Sequence, residues 1–141
     1  MKKIKFKPLF FCFIFIIALF MSSEIKAQLS PEGKTYTLLT NSVCKKMEGG
    51  GCNIDYYKVM EFTKNKVSIY ELVKASCTPK EREENYNNKA EPIKSVRYWT
   101  IKDNQIFIEK YDEYGKLELK GDKLIGKRSN GSVTAEFLEK K

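Results

Sequence analysis

From Thr35 to the C-terminus the chain alternates apolar and polar residues in short β-branched and aromatic runs separated by Asn, Asp and Gly, and no helical period persists. The alternation predicts strands over Thr35–Thr40, Tyr56–Thr63, Lys66–Lys74, Ile93–Lys102, Gln105–Tyr111, Lys116–Lys120, Lys123–Ser129 and Ser132–Leu138. Asp103–Asn104, Asp112–Gly115, Gly121–Asp122 and Asn130–Gly131 read as the turns of a meander, the last as a two-residue hairpin turn whose residues tolerate positive φ. Within Lys66–Lys74, Val67, Ile69, Glu71 and Val73 share one face while Ser68, Tyr70 and Leu72 share the other. The expected class is all-β: about eight antiparallel strands in a meander, closed into a barrel or packed as a two-sheet sandwich.

Two stretches break the rhythm. Asn41–Asp55 contains Gly49-Gly50-Gly51 between two cysteines, and Ala75–Pro92 is dense in Lys, Glu and Asn, with room for a helical turn around Lys80–Asn85. Both read as long loops, either functional or tolerated.

The N-terminus changes the picture of where the chain works. Lys2, Lys3, Lys5 and Lys7 precede the apolar run Leu9–Met21, followed by Ser22-Ser23-Glu24 and Ile25-Lys26-Ala27. That order is a basic region, an apolar core and a small-residue cleavage site, and the run is shorter than the ~20 residues of a spanning helix. Residues 1–27 are therefore expected to be a signal peptide, leaving 28–141 as one domain in the periplasm or secreted. Residues 1–27 hold five Lys and one Glu, so the formal charge of +8 falls to +4 without them. The remaining charges alternate in sign as on an ordinary solvated surface, so nucleic acid is not an expected partner, nor is stable membrane insertion after cleavage.

An exported chain meets oxidising conditions, so Cys44, Cys52 and Cys77 are read first as disulfide material. If Tyr56–Thr63 and Lys66–Lys74 form a hairpin around Lys64-Asn65, opposed residues have numbers summing to 129, as Cys52 and Cys77 do. The pairing Cys52–Cys77 is therefore preferred to Cys44–Cys52, which a bulge or longer turn would favour. Cys44 is then the odd thiol: a reactive group, a half-buried residue, or a partner for glutathione or a second chain.

The chain contains no His, which removes Ser-His and Cys-His nucleophile pairs and the commonest zinc ligand. Glu81, Glu83 and Glu84 sit among Lys and Arg in an expected loop, without calcium-loop spacing, and Gly49-Gly50-Gly51 is not followed by Lys-Ser or Lys-Thr. A non-catalytic protein without metal or cofactor is the expectation.

The segment Glu32-Gly33-Lys34-Thr35-Tyr36 before the first strand, the meander, and Lys127 and Arg128 on a late strand give the chain a resemblance to the lipocalin-like, calycin-type small β-barrels of secreted bacterial proteins. Classical members carry Gly-x-Trp at the opening, where this chain has Gly33-Lys34-Thr35 followed by Tyr36. The resemblance implies binding of a small hydrophobic or amphipathic molecule inside the barrel, and by alternation Tyr57, Val59, Tyr70, Trp99 and Phe107 are the cavity candidates; the same residues also suit a self-filled core. The alternative function is a protein-interaction module, such as an inhibitor of a secreted enzyme, acting through 41–55 and 75–92.

Overall fold

The computed structural model of the protein describes residues 29–87 and 92–141; the expected signal peptide lies outside the described residues. The strands are β1 (Thr35–Met47), β2 (Gly50–Phe62), β3 (Lys66–Thr78), β4 (Ser95–Lys102), β5 (Gln105–Ile108), β6 (Lys116–Lys120), β7 (Lys123–Lys127) and β8 (Val133–Glu139). Each pairs antiparallel with the next, and β8 returns to β1 through Tyr36↔Glu139 and Thr37↔Leu138. The fold is thus a closed eight-stranded meander barrel, not a sandwich, with the strand number and order of a lipocalin-like barrel. A Lys34–Glu139 ion pair at 2.8 Å and a Lys140 N–H donated to the Thr35 carbonyl reinforce the narrow seam.

The interior is packed by the barrel's own side chains. Tyr36, Met60, Phe62, Val67, Ile69, Trp99, Leu117, Leu119, Leu124 and Phe137 are all buried in one cluster. At the lower end the segment before β1 closes the barrel: Gly33 N–H reaches the Phe62 carbonyl, and Trp99 donates its indole N–H to the Thr63 carbonyl at 2.9 Å. Phe62 meets both Tyr36 and Trp99 edge to face, the arrangement that aromatic quadrupoles favour. At the upper end Tyr114 stands edge-on to Phe137 at 5.2 Å.

The first expected loop is almost all strand, and among the described residues the second is strand only over residues 75–78. Residues 41–55 are the distal halves of β1 and β2, and β3 runs on to Thr78 before a 3-10 turn (Lys80–Glu83) and the helical turn α1 (Glu84–Asn87). Because β3 pairs with β4 only from Lys66 to Ile69, and β1 pairs with β8 only at two residues, the distal parts of β1–β3 leave the barrel as a three-stranded arm. The Gly run is what the arm's tip requires. Gly49 and Gly50 both have positive φ, and a Cβ on Gly50 would run into the Thr78 carbonyl.

The expected register of β2 and β3 is present throughout, from Phe62↔Val67 to Gly51↔Thr78, and Cys52 and Cys77 are opposed and bonded, with Cα atoms 4.1 Å apart. The disulfide, Ile54 and Tyr86 form a small second core on one face of the arm. Asp103 and Asn104 both take positive φ, as a two-residue hairpin turn demands. The Asn130-Gly131 turn differs: it spans Arg128–Ser132, closed by Gly131 N–H to the Arg128 carbonyl, and only Gly131 has positive φ, because a register shift at Gly126/Lys127 lengthens the connection.

The tyrosines carry a testable pH signature. Burial, reinforced by Glu139 and Asp122, pushes the Tyr36 phenol up to about 12, and its hydroxyl has no hydrogen-bond partner among the described residues. Burial, with the hydrogen bond to Glu61, raises Tyr70 to about 12, and burial, with Glu113, does the same for Tyr114. A folded-state value above the unfolded value of about 10 stabilises fully below pH ~10 and is lost as pH rises toward 12. The melting temperature is expected to fall across that window, with phenolate absorbance lagging the free-tyrosine titration until unfolding. Complete ionisation of all eight Tyr near pH 10 with the fold intact would contradict it.

Candidate functional site

The five cavity candidates do not share a cavity. Tyr36, Met60 and Ile69 are opposed across β1–β3 and point inward, so their neighbours in the next row, Thr37, Val59 and Tyr70, point outward. Tyr57, Val59 and Tyr70 do meet, but around a shallow groove of about 160 Å³ on the outside of the barrel. Phe107 is an exposed outer residue of β5, Val59 is buried but outside the interior cluster, and of the five only Trp99 belongs to that cluster, where it is part of the packing. The reading of these residues as a shared internal pocket is corrected by the phase of the strands: apolar residues occupy both faces, so alternation groups them without saying which group is inside.

A larger cleft of about 420 Å³ opens at the upper mouth, where β3 parts from β4, and is lined by Lys58, Ile69, Tyr70, Glu71, Pro92, Ile93, Ser95, Arg97, Tyr111 and Glu113. Its volume falls within the range of small-molecule sites. β2 places Lys58 on the interior face, in line with Tyr56 and Met60, and β3 sets Glu71 directly opposite. The Lys58 side chain is half-buried, and its ammonium lies 3.5 Å from the Glu71 carboxylate and 3.3 Å from that of Glu113, so two carboxylates converge on one cation.

The loop that brings Glu113 is fixed by Arg97. Its guanidinium Nη1 donates to the Glu109 and Lys110 carbonyls at 3.1 and 2.9 Å, and Lys110 takes positive φ at the bend. Tyr111 donates its hydroxyl to Glu113 Oε2 at 3.0 Å, and burial, with Glu113 beside it, raises its ionisation far above the ordinary phenol range. The phenol is therefore a neutral donor at physiological pH. At the lip, Ile93 is 96% exposed among the described residues.

With two cations and two carboxylates among the lining residues, the cleft is formally neutral but strongly dipolar. It offers an apolar wall from Ile69, Pro92 and Ile93 and polar groups from Lys58, Glu71, Glu113 and Tyr111. Among the described residues no group of three His, Cys, Asp or Glu side chains gathers as a metal site, and none of the helices is long and apolar enough to cross a membrane. Sequence reasoning missed Lys58 and Glu71, although the register that pairs the cysteines also opposes these two residues, which was the available signal.

No protein family, no curated protein and no solved structure matches this chain.

Proposed function

We propose that the chain is an exported, lipocalin-like, non-catalytic binding protein of the periplasm or the cell exterior that takes a small amphipathic molecule, neutral or zwitterionic, at the barrel mouth. The observation that carries the reading is the cleft itself: a half-buried lysine between two carboxylates stands beside the apolar side chains of Ile69, Pro92 and Ile93 in a space of about 420 Å³. The disulfide Cys52–Cys77 is compatible with an oxidising compartment. The filled interior moves the expected ligand from the barrel's centre to its rim.

A ligand with no net charge fits because the lining has none, so affinity should depend little on salt. The test is a titration of isotopically labelled protein with a zwitterionic alkylphosphocholine and a neutral alkyl glycoside below their micelle concentrations. Amide shifts are expected to cluster at Ser95, Arg97, Tyr111 and Glu113, and Ile93→Asp is expected to weaken binding by about tenfold, equivalent to ~1.4 kcal/mol. Shifts scattered over the outer face, or affinity unchanged in Ile93→Asp, would remove the reading.

The arm favours a second reading, a protein-interaction module such as an inhibitor of a secreted enzyme. It projects beyond the barrel as a paired sheet braced by a disulfide and a helical turn. Titration against a panel of secreted proteases and glycosidases would reveal it as lost turnover; unchanged rates at micromolar excess would dismiss the inhibitor.

A further inference from the structure

The arm has two outer strands, and the fold treats their edges differently. On β3, Ala75 N–H donates to Asn87 Oδ1 at 2.9 Å and Cys77 N–H to Glu83 Oε1 at 3.1 Å, so the turn after the strand covers the ladder groups that β4 leaves unpaired. Capping of this kind keeps an edge from recruiting another strand.

On β1 no strand among the described residues pairs with the outer edge beyond Thr37. Ser42 N–H turns away from β2 to its neighbour Asn41 Oδ1, and by the alternation of a ladder Cys44 and Lys46 turn the same way. Among the described residues the backbone groups of Cys44 and Lys46 on this edge have no protein partner. A row of unpaired ladder groups is a template for another strand.

We propose that this edge pairs with the same edge of a second copy, antiparallel, about a two-fold axis at Cys44. Three observations select the partner and the register. An isologous pairing centred on Cys44 uses the ladder groups of Cys44 and Lys46 in both strands and opposes Lys46 to the second copy's Ser42, whose N–H would exchange Asn41 Oδ1 for the Lys46 carbonyl, whereas centring on Ser42 or Lys46 uses fewer. It also brings each Lys46 alongside Ser42, whose hydroxyl donates to Asp55 Oδ1 at 2.6 Å, so a cation approaches a carboxylate. Centring on Lys46 would instead oppose two ammonium groups. Finally, Cys44 is exposed and unbonded, and at the axis it faces its own copy, where opposed Cα atoms lie about 5.5 Å apart, within disulfide reach.

Covalent closure needs a disulfide oxidant, and oxidised glutathione suffices. One Cys44 thiolate attacks it, forming a mixed disulfide and releasing one reduced glutathione. The second copy's Cys44 thiolate then attacks the Cys44 sulfur of that mixed disulfide and expels the second glutathione. Two thiols are oxidised, one glutathione disulfide is reduced, and the two thiol protons end on glutathione.

The experiment incubates the purified protein in a glutathione redox buffer and reads the products by non-reducing electrophoresis and peptide mass. A Cys44–Cys44 dimer is expected with Cys52–Cys77 intact, and Cys44→Ser is expected to abolish it. The register is tested separately in the Cys44→Ser background: a chain carrying Ser42→Cys and a chain carrying Lys46→Cys should cross-link to each other at least tenfold more than either does to itself. Wild-type protein that stops at the glutathione mixed disulfide, or cross-links as abundant within each cysteine variant as between them, would overturn the proposal. Ligand binding at the mouth plays no part in this readout, so either idea can fail alone.

Discussion

Phe137→Ala is expected to lower stability by about 3–5 kcal/mol, enough to take the melting temperature down by 15 °C or more, because truncating a fully buried aromatic leaves a cavity the barrel cannot close. Phe137 is wholly buried, opposed to Leu124 across β7–β8, and edge-on to Tyr114 at 5.2 Å. Its loss would leave the ring of Tyr114 with Tyr111, 6.4 Å away, as its remaining aromatic neighbour among the described residues. The contrast is Phe107→Ala, at an exposed outer position, for which the change should stay within about 0.5 kcal/mol. Denaturant unfolding of the two variants decides the matter: comparable losses would mean that the two rings do not divide between inside and outside as the strand pairing requires.

The second large effect belongs to the arm. Removing the disulfide with Cys52→Ser and Cys77→Ser is expected to cost about 3 kcal/mol, since the bond closes a 25-residue separation in the unfolded chain. Cys52, Ile54 and Cys77 form a core separate from that of the barrel, so backbone amides of the distal β2 and β3 should also open locally and gain more in exchange rate than those of Met60, Ile69 and Leu117, which follow the global loss. Uniformly faster exchange across both regions would show that arm and barrel open as one unit and would remove the distinction drawn between them.

Much of the architecture was legible in the residues. Period-two alternation and Asn, Asp and Gly punctuation located eight strands and most of their turns, because side-chain direction in a strand is a local property. The Cys52–Cys77 pairing was legible for the same reason: once Lys64-Asn65 is a tight turn, register is simple counting, and it held to Gly51↔Thr78. The same counting opposes Lys58 to Glu71, so part of the mouth was written in the hairpin before any fold was known.

The absolute face of each strand was not written there. Tyr57, Val59 and Tyr70 alternate as an interior row would, yet Tyr56, Lys58, Met60 and Phe62 hold the inward phase, Lys58 among them at the rim. Apolar residues on both faces make the pattern ambiguous, and only closure of β8 onto β1 decides which side is concave. The stretch Asn41–Asp55 read as a loop because Lys45, Lys46 and three glycines lack an apolar face, whereas pairing with β2, the disulfide and the approach of Gly50 to the Thr78 carbonyl make it strand.

The sequence by itself determined an all-β chain, the order of its strands, a preference for the Cys52–Cys77 pairing and the absence of imidazole chemistry, all of which follow from residue identity and local spacing. Only the tertiary structure decided that the barrel closes and is filled, that a cleft opens where β3 parts from β4, and that one edge of the arm is capped while the other is open. Those features depend on how far each strand remains paired with its neighbour, which is set by the packing of side chains distant in sequence.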